Sequence, residues 1–206
     1  MREHLLPALR TALVTLVLTG LLYPLAVTGL SKVLFADKAD GSLVKDERGA
    51  VVGSELIGQS FAAAGYFQPR PSAAGDKGFD PTASGGSNLG PTSKKLRDRA
   101  TADVARLLSE GGGAPVPAEL VTTSGSGLDP HLSPAGALWQ VPRVAKARNV
   151  APERVRAVVE AQVEGRDLGF LGEPRVNVLL LNLALDRQFG KLALDHKLGR
   201  LTPSGG

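Results

Sequence analysis

The chain predicts an α+β protein: one N-terminal transmembrane helix followed by a single extramembrane α+β domain. Three observations point there. Between Arg10 and Lys32 the 21 residues Thr11–Ser31 carry no charge. Beyond them, residues 93–110 place apolar side chains at helical spacing, and a Gly-containing turn at 46–49 separates two short apolar runs. Helix starts and strand-like runs then follow in no strict alternation, which suits α+β rather than a wound parallel sheet.

At about 1.5 Å per residue the uncharged run covers roughly 30 Å, the thickness of a bilayer's hydrocarbon core. A cleaved signal peptide has a shorter apolar stretch, about 7–15 residues, before a small-residue cleavage site. Leu34-Phe35-Ala36-Asp37 is a poor cleavage sequence. A buried soluble helix would be shorter and keep a polar face. A retained anchor over 11–35 therefore ranks first, leaving a short tail at 1–10 and a domain at 36–206.

Within the anchor, Thr11, Thr15, Thr19 and Tyr23 recur every four residues and form one ridge, with Gly20 beside it. Pro24 lacks an N–H, so the Gly20 carbonyl loses its usual partner. Thr15, Thr19, Tyr23 and Pro24 are the candidates for docking against another helix. The plainer alternative is that the Thr hydroxyls bond back to their own backbone. One helix cannot enclose a path for an ion, so the chain alone is no transporter. Cation counting leaves the orientation open: Arg2 and Arg10 precede the span, while Lys32, Lys38, Lys45 and Arg48 follow it.

The domain's elements follow in order. Gly41–Gly53 reads as a hairpin. Leu96, Ala100, Val104, Leu107 and Leu108 define an amphipathic helix that Thr92 or Ser93 caps and Gly111-Gly112-Gly113 ends. Ser133-Pro134 starts a second helix, which holds Trp139 and Gln140. Pro152 starts a third, running through Val155, Val158, Val159 and Val163 to Gly165. Val176–Asp186 is apolar nearly all round; its length and Leu content favour helix over strand. Asn177, Asn182 and Asp186 on that segment need partners if buried, in an internal network or at a subunit contact.

Basic and acidic residues beyond Ser31 number 22 and 19, interspersed, so the net charge of +4 marks no nucleic-acid surface. Cysteine is absent, which excludes disulfides and thiolate metal sites. His4, His131 and His196 lack ligand spacing, so no metal is expected. Ser84-Gly85-Gly86-Ser87-Asn88 and Ser124-Gly125-Ser126-Gly127-Leu128-Asp129 can gather backbone amides into anion-binding nests, although tight turns are the plainer reading. Arg70, set between Pro69 and Pro71, is presented by stiff backbone to an anion, a partner's carboxylate or an internal salt bridge. Ser126, Asp129 and His131 are residue types for nucleophilic catalysis, and a membrane-anchored serine hydrolase is the alternative function. However, the full Gly-x-Ser-x-Gly elbow is missing and the three lie too close in sequence to converge readily.

Seven segments together resemble the KdpC family, the C subunits of Kdp potassium-transporting ATPases. They are Tyr23-Pro24-Leu25, Gly53–Gln59, Tyr66–Ser72, Ser84–Asn88, Val121–Pro130, Arg143-Val144-Ala145 and Arg175–Asp186. The resemblance implies a non-catalytic accessory subunit in a bacterial inner membrane, with a cytoplasmic N-terminus and an extracytoplasmic domain. Its implied partners are a potassium-translocating subunit, a P-type ATPase subunit and a small single-helix subunit. The chain itself lacks an Asp-Lys-Thr-Gly phosphorylation sequence, and Gly190-Lys191 is no Walker loop. No cofactor is implied as firmly bound. The family's chaperone-like role in ATP binding would make Ser84, Gly85, Gly86, Ser87, Asn88, Ser124, Ser126 and Asp129 the nucleotide candidates, but an external domain cannot touch cytoplasmic ATP. A cap over the outer mouth of the translocating subunit fits that topology better.

Overall fold

The computed structural model describes residues 2–46 and 48–192. The chain divides into two compact units between Leu43 and Val44. The first is helical. α1 (Arg2–Val17) passes through a π-turn at Leu18–Leu22 into α2 (Tyr23–Leu34). Glu3–Leu34 is thus a rod of 32 residues, long and apolar enough to cross a membrane. The π-turn sits immediately before Pro24, whose missing N–H breaks the ladder. There the Tyr23 amide donates to the Leu18 carbonyl five residues back. A short helix α3 (Ala36–Ala39) follows, and Lys32 pairs with Asp40 at 2.7 Å.

β1 (Leu43–Lys45), which begins at the boundary between the two units, and β2 (Val51–Ser54) make the expected hairpin. Asp46 Oδ1 accepts from the Arg48 and Ala50 amides at 2.9 Å; the Ala50 bond foremost holds this carboxyl below its ordinary value. α4 (Lys94–Ser109) starts where the Ser93 hydroxyl accepts from the Leu96 amide, and only Leu107 on it is fully buried. A 3₁₀ turn at Ala118–Leu120 and strand β3 (His131–Leu132) lead to α5 (Pro134–Arg148). The Ser133 hydroxyl caps α5 by accepting from the Gly136 amide at 3.0 Å, and Asn149 ends it in the left-handed region.

α6 (Pro152–Ala161), β4 (Val163–Glu164), β5 (Arg175–Asn177) and α7 (Val178–Phe189) complete the described residues. Two expectations change here. Val163 leaves the helix at Gln162 and pairs with Val176 in the sheet. The segment read as one helix from Val176 opens as a strand and turns helical only at Val178. Asn177 makes the switch, its side-chain oxygen accepting from the Leu180 amide at 3.2 Å.

The sheet is antiparallel in the order β3-β5-β4, registering His131 with Asn177 and Glu164 with Arg175. Over it pack α5 and α7, and α6 packs against both of these helices. Val141, Val144, Val155, Val159, Leu181 and Leu185 are almost wholly excluded from solvent. At about 1.5–3 kcal/mol for each such side chain, this cluster is the main source of the domain's stability. Phe67 enters the same core from the irregular stretch between β2 and α4.

Candidate functional site

Tyr66–Ser72 has no regular structure, yet it is held as firmly as a strand. Side chains supply its ladder. The Phe67 amide donates to Asn182 Oδ1 at 2.8 Å, and Asn182 Nδ2 donates to the Phe67 carbonyl at 3.0 Å. The Gln68 amide donates to Gln140 Oε1, and Gln140 Nε2 donates to the Gln68 carbonyl, both at 2.9 Å. Consecutive residues of extended chain direct these groups to opposite sides, so α7 clamps one edge and α5 the other.

Two buried arginines fix the preceding turn. Arg143 donates to the carbonyls of Ala64 and Tyr66 and to Gln140 Oε1. Burial draws its pKa below the ordinary arginine value, against the opposing charge of Glu110; it remains a cation at neutral pH. Arg148 donates to the Gly65 carbonyl at 2.7 Å, lies over the Tyr66 ring, and pairs with Asp186 at 2.8 Å. Tyr66 donates its hydroxyl to the other Asp186 oxygen at 2.9 Å. Asn177 donates to the Glu55 carbonyl at 2.8 Å. All three polar residues singled out on the last apolar segment therefore have internal partners, each of them more than 100 residues away in sequence.

The two Gly/Ser loops meet each other. Both the Gly85 amide and the Ser84 hydroxyl donate to the Ser126 carbonyl, at 2.8 and 3.0 Å. Gly86 lies against the backbone of Ser124 and Gly125. Gly127, at φ +67°, leaves so little space that an added Cβ would stand 2.5 Å from the Gly85 carbonyl oxygen. Ser87 follows half-buried, and Asn88 turns the chain through a left-handed φ of 50°.

The Ser126 hydroxyl accepts from the Leu128 amide at 3.1 Å and lies 3.4 Å from that of Ser124. Its hydrogen-bond partners among the described residues do not include His131. Asp129 faces that histidine instead: it accepts from the His131 amide at 3.0 Å, with the imidazole Nδ1 3.7 Å away. Its second oxygen takes Arg70 Nη1 at 3.1 Å, and Arg70 Nη2 reaches the Thr123 carbonyl. Desolvation pushes the Asp129 carboxyl up, but the bonds from His131 and the Arg70 charge together hold it below its ordinary value.

Arg70 divides two hollows. One, of about 570 Å³, is open and lined by Ser84, Ser124, Ser126, Asp129 and Arg70. The other, of about 220 Å³, lies between Phe61, Phe79 and Leu107, with Arg106 and Gln140 at its wall. Sequence reading singled out Arg70 and both loops, but it did not see Gln140, Arg143 and Arg148 as one fixture. Their spacing at i, i+3 and i+8 on a helix was the available signal.

In the anchor, the Thr19 hydroxyl donates to the Thr15 carbonyl at 2.8 Å, the back-bonding alternative. Tyr23 is exposed, and Pro24 sits in the first turn after the π-turn. His196 lies outside the described residues.

A family model described as KdpC, K+-transporting ATPase, c chain, matches residues 5–187. A potassium-transporting ATPase KdpC subunit from Myxococcus xanthus is 67% identical to the chain over 205 residues, covering 98% of it and 97% of the relative. One from Methylobacterium nodulans is 57% identical, covering 93% and 100%. One from Koribacter versatilis is 51% identical, covering 90% and 95%.

Proposed function

The chain belongs to the KdpC family and is a subunit of a multi-subunit potassium-transporting ATPase; from that premise we propose that it acts as a non-catalytic cap. In this reading the anchor docks beside larger subunits, and the domain sits outside the inner membrane over the mouth of the potassium-translocating subunit. There it stabilises the assembly and tunes potassium entry. The P-type ATPase subunit and the small single-helix subunit complete the complex.

The observation that carries this reading is that the two Gly/Ser loops bond to each other and spend three of their amides internally. A phosphate needs several free amides pointing together. Here the Gly85 amide serves Ser126, the Gly127 amide serves the Ser124 carbonyl, and the Leu128 amide serves the Ser126 hydroxyl. Joined in this way, the loops suit a continuous capping surface better than a nucleotide cradle. The single span, with no second membrane-length helix among the described residues, favours a supporting role over conduction. Removing residues 36–206 while keeping the anchor should abolish high-affinity potassium uptake by cells. Wild-type uptake with the truncated chain would overturn the proposal.

A further inference from the structure

The loop between β4 and β5 presents three large apolar side chains to solvent. Leu168 is 83% exposed, Phe170 68% and Leu171 49%. Such a cluster costs solubility unless something covers it. Nor is it a slack loop. Asp167 and Leu171 exchange both backbone hydrogen bonds at 2.9 Å, and the Gly169 amide donates to the Arg166 carbonyl at 3.1 Å. Ion pairs brace its base: Arg175 holds Glu164 and Asp167, and Arg166 holds Glu173.

Leu168 itself sits at φ +53°, a conformation that a branched side chain adopts only at a cost. Strain of this kind persists where a fixed presentation is needed. Glycine or asparagine would relieve it, but only an apolar residue gives the loop its tip.

We propose that the Leu168–Leu171 knob docks into an apolar socket on the extramembrane surface of a companion subunit of the ATPase complex. This rests on membership of the complex and is independent of where over that complex the domain sits. Two features favour a protein socket over the bilayer surface. Three carboxylates, Glu164, Asp167 and Glu173, surround two arginines that they already engage, so the rim gives no attraction to anionic lipid headgroups. The backbone is also pre-set, which lowers the entropy cost of entering a shaped pocket and gains nothing in a fluid interface.

The test uses the full-length chain expressed with its companion subunits, the complex being captured through a tag on another subunit. Leu168→Asn together with Phe170→Ser removes the knob while easing the backbone, and neither side chain is in the core. Recovery of this chain with the tagged subunit should fall on the order of tenfold, as loss of an interface anchor predicts, with unchanged amounts of the chain in the membrane. A photoreactive phenylalanine analogue at position 170 should cross-link to another subunit. Unchanged recovery, or cross-linking to lipid alone, would overturn the proposal. If uptake is still lost on removal of residues 36–206, the capping role would stand without this contact.

Discussion

Asn182 treats Phe67 as a neighbouring strand would: one side-chain amide both accepts from the Phe67 N–H and donates to its C=O, at 2.8 and 3.0 Å, in the wholly buried core. One edge of a segment without regular structure is thereby held by a side chain 115 residues away.

Asn182→Ala leaves a buried amide and a buried carbonyl unpaired, and should cost roughly 2–4 kcal/mol. Asn182→Asp keeps an acceptor for the amide but sets a carboxylate against the Phe67 carbonyl. It should be at least as damaging at neutral pH and recover in part as acid protonates it. Denaturant unfolding of the purified chain in detergent, followed by the fluorescence of its one tryptophan, Trp139, measures both. An Asn182→Ala loss under about 0.5 kcal/mol would contradict the clamp.

The Asp129 carboxyl is held below its ordinary value in the folded chain. The contribution to stability is therefore complete above the unfolded value, about 3.9, and is lost as pH falls through the lower folded one. Asp129→Asn should destabilise the chain at pH 7 and flatten its acid limb, so that the two unfolding curves converge below about pH 4. A constant difference from pH 7 to pH 3 would argue that Asp129 makes no such ionic contribution.

Gly127 and Gly125 stand two residues apart and should respond differently to alanine. Gly127→Ala meets the Gly85 carbonyl and adopts a positive φ, so a loss of about 1–3 kcal/mol is expected. At Gly125 nothing lies within 4 Å of the added carbon, and Gly125→Ala should be close to neutral. Thermal unfolding of both variants separates them; equal effects would mean that the loops do not meet as described.

Local chemistry made much of this fold readable. Ser93 and Ser133 cap the helices they precede, and Pro134 and Pro152 open theirs, because caps and proline act within one turn. The long apolar helix at Glu3–Leu34 needed only its length. At Asn177 the reading failed: alternation over Val176 and Val178 and a capping residue before a Leu run signalled a strand ending in a helix start, but the continuous apolar run hid both.

The meeting of Gly85 with Ser126, and of Gln140 with Gln68, was beyond reach for a different reason. These contacts join residues about 41 and 72 positions apart, whose polar groups carry no periodic signature. Arg70 was legible as a presented cation, not as the partner of Asp129.

Glu119 accepts from both the amide and the hydroxyl of Ser133, and Gly136 leaves room for that carboxylate beside it. Residues 119–133, which include the Ser124–Asp129 loop, are thus buckled into a ring in a chain without cysteine. A secreted protein would commonly close such a lasso with sulfur. Here the clasp ignores reductants and oxidants alike, so the loop's shape is insulated from the redox state of its compartment.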